Sequence, residues 1–241
     1  MSVRRGNYGF DAPWALAGLV LGGLALLCLA AVSFVSGVPT AGVVFLLGGL
    51  YTLASAASHL YTARRGKFAV WGRELDRLKG DEWLLDLGCG RGAVLLPAAE
   101  RLPEGRAVGI DLWRVGGRPR NHGERLTRAN AEAEGVTVGL VAGDMRDLPF
   151  GDATFDVVVS GLAPRGLLDG EGRALREAYR VLRPGGLLLI ADQQRHGPAH
   201  EAALRGLGVV DVRRRDLGWR YWYGGPWAAT WMVEARKPVT E

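Results

Sequence analysis

Trp83-Leu84-Leu85-Asp86-Leu87-Gly88-Cys89-Gly90-Arg91-Gly92 is the stretch from which the rest of the chain can be read. A short apolar run reads as a buried strand, with an acid near its end and three glycines at alternate places after it. Glycines so spaced let the backbone turn sharply and come close to a ligand. A helical pattern, Ala93–Arg101, follows directly, so free amides at its start face whatever anionic group binds there. Pro97 inside that pattern predicts a kink or a late start. In an open parallel sheet, ligands bind beyond the carboxyl ends of the strands where strand order reverses, and this loop is expected there.

Working outward, short apolar runs alternate with polar helical stretches after Arg73. Trp83–Leu87, Ala107–Asp111, Val136–Ala142, Phe155–Ser160 and Leu187–Ala191 read as buried strands. Ala93–Arg101, Glu124–Glu134 and Gly172–Leu182 read as the helices between them. Gly135, Gly151 and Pro184-Gly185-Gly186 punctuate the junctions. Such alternation specifies an α/β fold with a parallel sheet covered on both faces. Val209–Arg213 and Thr230–Ala235 read as two further strands paired as an antiparallel edge.

The second strand ends at Asp111, an acid suitably placed to bind two ribose hydroxyls. Gly88, Gly90 and Ala93 also fit the dinucleotide pattern G-x-G-x-x-G/A, and a lone match of that type is weak. Four further features discriminate. Asp86 would repel a pyrophosphate but could hold a cationic amino group. Asp144, in Gly143-Asp144-Met145, ends the third strand. Phe155-Asp156-Val157-Val158-Val159 forms the fourth, and Leu182-Arg183-Pro184-Gly185-Gly186 turns into the fifth. Asp156 itself reads as a solvent-facing or capping acid.

In order and spacing these motifs resemble the class I S-adenosylmethionine-dependent methyltransferases, nearest the methyltransferase type 11 group that includes ubiquinone-menaquinone methyltransferases, over roughly residues 75–240. The resemblance implies a Rossmann-like sheet of seven strands, mostly parallel, the last antiparallel and inserted between the fifth and sixth. It implies S-adenosyl-L-methionine as cofactor, with Asp86, Gly88 and Gly90 at its methionine end, and Asp111 on the ribose with Leu112 flanking the adenine. Asp144 would accept from the adenine amino group and Met145 would pack on the ring. Cys89, Gly92 and Ser160 complete the implied set, although Cys89 reads equally as a small residue packed in the loop.

Residues 1–66 have a different character. From Ala12 to Ala63 there is no Asp, Glu, Lys or Arg. A hydrocarbon core about 30 Å thick needs roughly 20 apolar helical residues to cross it, and spans at about 12–35 and 38–60 each meet that length around the Ser36-Gly37-Val38-Pro39 break. The net charge of +5 sits in residues 1–73, which carry six basic residues against Asp11, while the rest holds 24 basic and 24 acidic. Arg4 and Arg5 before the first span, with Arg64, Arg65 and Lys67 after the second, place both ends in the cytoplasm. Gly18 with Gly22, and Ala54 with Ser58, form small-xxx-small steps that permit close helix approach. The expected organisation is therefore a membrane hairpin, 1–66, followed by a cytoplasmic catalytic domain, 67–241. The neutral larger part argues against a nucleic-acid partner. Two cysteines, Cys28 and Cys89, build neither a disulfide framework nor a zinc site.

The acceptor is expected near Ser160-Gly161-Leu162-Ala163-Pro164-Arg165 and Asp192-Gln193-Gln194-Arg195-His196. His196 is the candidate base there, with a solvated loop histidine as the favoured alternative, and no residue declares itself catalytic. Trp219, Tyr221, Trp222, Tyr223, Trp227 and Trp231 crowd into thirteen residues. They fit an acceptor pocket (Tyr221 and Trp222 foremost), a membrane interface or a cover for the sheet edge. The tether suggests a small lipid or quinone-like acceptor. The weakly polar strand-four loop keeps a rival open, a membrane-bound S-adenosylmethionine sensor without methyl transfer. The sequence sets no oligomeric state.

Overall fold

Two kinds of local pattern, unbroken apolar helices and short apolar strands, resolve into two compact units, Phe10–Lys67 with Gly218–Ala229, and Met1–Gly9 with Phe68–Leu217 and Thr230–Glu241. The computed structural model describes all residues except 1–3, 11, 116–117, 120–122, 163–171, 210 and 240–241.

In the helical unit, α1 (Pro13–Val35) and α2 (Pro39–Tyr61) form an antiparallel hairpin, followed by a π-helical turn at Thr62–Gly66. Both helices start with proline, whose missing amide is one the first turn leaves unbonded anyway. Gly37, at positive φ, ends α1, and its amide donates to the Phe34 carbonyl. The helices approach closely at Gly23 and Gly49. A Cβ on Gly23 would lie 2.8 Å from Leu53, and one on Gly49 would lie 2.8 Å from Leu27 and 3.2 Å from the Gly23 carbonyl. The expected steps are not where this happens, since Gly18 and Gly22 meet nothing within 4 Å and Ala54 is exposed. Composition put small residues on several faces, and only packing chose one. Thr52 and Ser55 donate their hydroxyls to the Gly48 and Tyr51 carbonyls of their own helix. Both helices are long and apolar enough to cross a membrane, and only 11% and 22% of their apolar windows is buried.

In the α/β unit the strands are β1 (Trp83–Leu87), β2 (Arg106–Asp111), β3 (Gly139–Ala142), β4 (Phe155–Gly161), β5 (Leu182–Gln193), β6 (Val212–Asp216) and β7 (Thr230–Arg236). They form one sheet in the order β3-β2-β1-β4-β5-β7-β6. Pairing is parallel from β3 to β5, and β7 runs antiparallel to both β5 and β6. This is the Rossmann-like seven-stranded arrangement that the sequence motifs imply. Order reverses at β1, where Asp86 pairs with Gly109 of β2 on one side and Val159 of β4 on the other. The covering helices are α3 (Lys67–Leu75), α4 (Leu95–Ala99), α5 (Gly123–Glu134), α6 (Arg173–Val181) and α7 (Gly197–Gly206). Leu85, Leu87, Ile110, Val158, Leu188, Ile190 and Val233 of the sheet share one core with Leu175, Ala178, Val181 and Leu204 of the helices.

Several boundaries differ from expectation for identifiable reasons. Helix α4 starts late, at Leu95, which puts Pro97 in its first turn, where proline is tolerated. Strand β5 starts at Leu182, which pairs with Phe155 before a register shift; regular pairing resumes at Val157 and Leu187. Strand β6 begins at Val212, not Val209, because the Val209 amide bonds back to the Leu204 carbonyl and its side chain plugs the core. Strand β3 starts at Gly139 because the Val136 amide still bonds to the Ala131 carbonyl at the end of α5. Helices α3 and α7 had no sequence expectation.

Gly109 is a close-approach position, since a Cβ there would lie 2.6 Å from Leu95 and 2.7 Å from the Cys89 sulfur. Overpacking of that kind costs about 1–3 kcal/mol. Gly109→Ala should therefore lower the melting temperature of the α/β unit, followed by near-UV circular dichroism. Gly206→Ala, whose Cβ meets open space in a helix, should leave it unchanged or slightly raised. Equal melting curves for the two variants would contradict the packing at Gly109.

Candidate functional site

The loop after β1 is held from below by its neighbour strand. The amides of Gly88 and Cys89 both donate to the Ile110 carbonyl, at 2.8 and 3.2 Å. Gly88, Gly90 and Gly92 all have positive φ, which non-glycine residues rarely adopt. The Gly90 amide donates to Asp111 Oδ2 at 2.9 Å, and the Trp113 amide donates to Asp111 Oδ1. Asp111 thus fastens the loop, and a carboxylate has lone pairs beyond the two used here. A Cβ on Gly90 would meet nothing nearer than the Gly88 carbonyl at 3.9 Å, so the loop's outer side is open to close approach.

Three residues to which the sequence reading gave no role complete the cradle. The Gly90 carbonyl accepts from Trp113 Nε1 at 2.9 Å and Thr127 Oγ1 at 2.6 Å. Asn130 Nδ2 donates to the Arg91 carbonyl at 2.9 Å. The same amide group joins the loop to an N-terminal arm, where Asn130 Oδ1 accepts from the Asn7 amide and Nδ2 donates to the Asn7 carbonyl. Glu134 holds that arm further, accepting from the Arg5 and Gly6 amides and the Tyr8 hydroxyl. Thr127 and Asn130 lie three apart on α5, a spacing that puts them on one helix face. Nothing in the local pattern said that this face meets the glycine loop.

Beneath the loop, Asp86 is 1% exposed and neither carboxylate oxygen has a hydrogen-bond partner. Burial first, and the Asp111 charge second, push its carboxyl up to about 8, with the Leu95 amide pulling weakly the other way. A buried acid with no cation of its own is a fitted receptor for a cationic group. Cys89 is buried against Gly109, and burial pushes its thiol up, so it is a packed, unreactive loop residue. Gly92 abuts Leu96 and closes the turn into α4.

The remaining expected residues lie along the same carboxyl edge. Leu112 is exposed just past β2, and Met145 packs against the core beside Asp144. Both Asp144 oxygens accept from the Arg146 guanidinium, which outweighs burial and holds the carboxyl below its ordinary value. Ser160 is fully buried, and its hydroxyl donates to the Leu87 carbonyl at 2.9 Å, tying β4 to β1. Asp156 accepts from the Trp83 amide and pairs with Arg183 at the opposite edge, a capping acid. Residues 163–165 of the strand-four loop lie outside the described residues.

At the end of β5 stands a cluster that sequence reading saw only in part. Asp192 is buried and bridges two histidines, His196 Nδ1 at 3.1 Å and His200 Nε2 at 2.8 Å. Burial alone would raise the Asp192 carboxyl; hydrogen bonds from His200, His196 and the Gln193 amide outweigh it and hold the acid below its usual range. These partners put the His196 proton on Nδ1, leaving Nε2 to accept from Arg195 Nε at 3.1 Å. The four-residue spacing of His196 and His200 was the available signal. Tyr221 and Trp222, the other acceptor candidates, belong to the helical unit, where Tyr221 is buried and the Trp222 indole nitrogen has no hydrogen-bond partner. Trp231 lies instead on β7, under the Arg214 guanidinium. Among the described residues, no group of three or more His, Cys, Asp or Glu side chains is placed to hold a metal ion. A cavity of about 480 Å³ lies at the other edge, by Asp156 and Arg183, far from the glycine loop.

Parts of the chain are similar to known proteins. Residues 84–186 match the family described as a methyltransferase domain. The chain is 36% identical over 125 residues to a demethylmenaquinone methyltransferase of Symbiobacterium thermophilum, covering 50% of this chain and 47% of that protein. It is 41% identical over 132 residues to nocamycin O-methyltransferase of Saccharothrix syringae, covering 54% and 42%. The chain thus spans under half the length of these curated relatives. A SAM-dependent methyltransferase from Aquifex aeolicus has the same fold, with a TM-score of 0.52 at 20% identity over 70% of this chain and 87% of that one.

The Asp86 carboxyl sets a pH test. It titrates near 8 in the folded chain against 3.8 for the free group, so between those values the folded chain holds a proton that the unfolded chain has released. Stability of the ligand-free protein should fall as pH rises from about 4 to about 8, and that loss should be absent in Asp86→Asn. The melting-temperature advantage of the variant should grow across that window and level off above it. An advantage that is flat from pH 5 to pH 9 would place the carboxyl elsewhere on the scale.

Proposed function

We propose, from the class I S-adenosylmethionine-dependent methyltransferase domain that residues 84–186 carry, that this chain methylates a small lipophilic acceptor at the cytoplasmic face of a membrane. The observation that carries the reading is the buried, unpartnered Asp86 carboxyl under an open glycine loop, with Asp111 at the next strand end. That pairing suits a ligand with a cationic amino group at one end and a ribose further along, and suits a pyrophosphate badly.

The cofactor supplies an activated sulfonium methyl, transferred by in-line displacement with a neutral sulfide as leaving group. The protein's share is alignment and exclusion of water. Asp86 would hold the cationic amino group, Gly88 and Gly90 would admit the methionine end, and Asp111 would accept from the ribose hydroxyls. Leu112 and Met145 would flank the adenine, with Asp144 accepting from its amino group. Ser160 keeps the end of β4 against β1 through the Leu87 carbonyl. Where the acceptor arrives protonated, His196 Nε2 would take that proton once Arg195 Nε has withdrawn from it, with Asp192 stabilising the resulting charge across the ring.

Membrane attachment is supported by two helices of sufficient length with most of their apolar surface outward and by the basic residues at both ends of the hairpin. A lipophilic acceptor is supported by that attachment and by the relative named for demethylmenaquinone. The rival sensor reading keeps the same cofactor site and omits transfer.

Asp111→Asn should weaken S-adenosylmethionine binding by about ten- to a hundredfold, as expected for losing hydrogen bonds to a charged group. Titration calorimetry on a variant with wild-type circular dichroism checks this, and unchanged affinity would remove Asp111 from the site. Native membranes given methyl-labelled cofactor and the wild-type chain should yield a labelled lipid or metabolite that the variant does not. Tight binding with no labelled product in repeated trials would favour the sensor.

A further inference from the structure

The aromatic segment Gly218–Ala229 leaves β6 and returns to β7, yet it groups with the helical hairpin. It is laid along α2 in order. Trp219 stacks on Tyr61 at 5.3 Å between ring centres, Tyr223 meets His59 edge-on at 5.2 Å, and Trp227 meets Tyr51 at 5.5 Å. Between these pairs the Trp222 carbonyl accepts from Thr62 Oγ1 at 2.7 Å and Ser58 Oγ at 3.3 Å. Gly224 sits where a Cβ would lie 3.6 Å from Leu19 of α1 and 3.7 Å from the Ser55 carbonyl. The segment therefore descends from the end of α2 towards its middle.

The depth follows from helix geometry. Ten residues separate Tyr61 from Tyr51, which at about 1.5 Å per residue is about 15 Å along the axis. A hydrocarbon core about 30 Å thick takes roughly 20 residues of α2, counted from the hairpin turn at Ser36–Val38. That places the near edge of the core around Ser58 and puts Tyr51 about 10 Å inside it. Trp227 is then level with acyl chains, and Trp219 with headgroups.

Chemistry agrees with that depth. No charged residue occurs from Tyr221 through Val233, and Arg220 stands at the boundary. The Arg220 guanidinium lies over the Trp219 ring at 4.8 Å, and that of Arg64 over Phe10 at 4.8 Å, with Arg65 exposed beside them. Irregular backbone tolerates lipid only when its polar groups are satisfied. Here the amides of Tyr221, Trp222, Tyr223, Gly224, Ala228 and Ala229 all donate within the segment, and Pro226 has none. Trp227 remains 58% exposed at the tip, a large ring that water would receive poorly and lipid well.

We propose that Gly218–Ala229 is a membrane-inserted loop, with Pro226 and Trp227 among the acyl chains of the cytoplasmic leaflet and Trp219, Arg220, Arg64 and Arg65 at its anionic headgroups. This rests on the hairpin spanning the membrane. It makes the link between β6 and β7 a lipid contact, and it gives the aromatic cluster the interfacial role in place of an edge cover.

The test uses the full chain with Cys28→Ser, nitroxide-labelled at one introduced cysteine and reconstituted in phosphatidylcholine–phosphatidylglycerol vesicles with a nickel chelate on both sides. Cys89 is buried, and the Cys28→Ser parent measures its background labelling. Labels at Trp227→Cys and, as a milder second site, Pro226→Cys should collide with the chelate at least about tenfold less than one at the exposed Arg205→Cys, and more with oxygen. Leu47→Cys, outward on α2, reports the hairpin separately. If Leu47 is shielded while positions 226 and 227 match Arg205, the loop lies in water and the proposal fails with the anchor intact. If Leu47 also matches Arg205, the membrane-spanning reading fails and the proposal with it.

Discussion

The Ile110 carbonyl at the end of β2 accepts the amides of both Gly88 and Cys89, and this clamp sets where the glycine loop leaves the sheet. With those amides held from β2, the loop turns upward through three residues at positive φ, and Asp111 takes the Gly90 amide. The loop carbonyls are then satisfied from Trp113, Thr127 and Asn130. These loop groups are thereby engaged away from Asp86, on which the Leu95 amide exerts a weak pull. The acid stays isolated in the apolar floor because suppressed ionisation is less costly there than an unpaired charge. An isolated buried acid is therefore a by-product of how the loop's own backbone is satisfied.

The same accounting governs the helical unit. Helices α1 and α2 satisfy their backbone internally and turn Thr52 and Ser55 back onto their own carbonyls. The irregular segment that lies along α2 bonds six of its amides within itself and offers the Trp222 carbonyl to the Thr62 and Ser58 hydroxyls. Where the α/β unit leaves an acid isolated, the irregular segment of the helical unit bonds the amides of Tyr221, Trp222, Tyr223, Gly224, Ala228 and Ala229.

Much of the fold was legible from local pattern. Periodicity and punctuation located β1, β2, β4 and β7 to within a residue or so, because strands buried on both faces are written as continuous apolar runs. Boundaries went astray where a neighbouring element overrode the pattern: Val209 bonds to the end of α7 and not to the sheet, and Leu182 joins β5 ahead of the glycine turn. Helix α7 had no expectation, and Gly197 and Pro198 at its start are residues that punctuate local patterns. At the site, Asp86, Asp111 and the glycines announced themselves by spacing, whereas Thr127, Asn130, Asp192 and His200 did not.

The sequence by itself determined an α/β sheet with a ligand loop after its first strand, acids at two further strand ends and two helices long enough for a bilayer. These are properties of residue type at short spacing, and period 2, period 3.6 and glycine conformational freedom act over a few residues. Only the tertiary structure decided that Asp86 has no partner, that Asp192 bridges two histidines, that Gly23 and not Gly18 meets the second helix, and that the aromatic segment lies along α2. Each of those depends on which side chains or backbone groups meet in space. Trp222 and Thr62, 160 residues apart, are joined by a fold that no local pattern records.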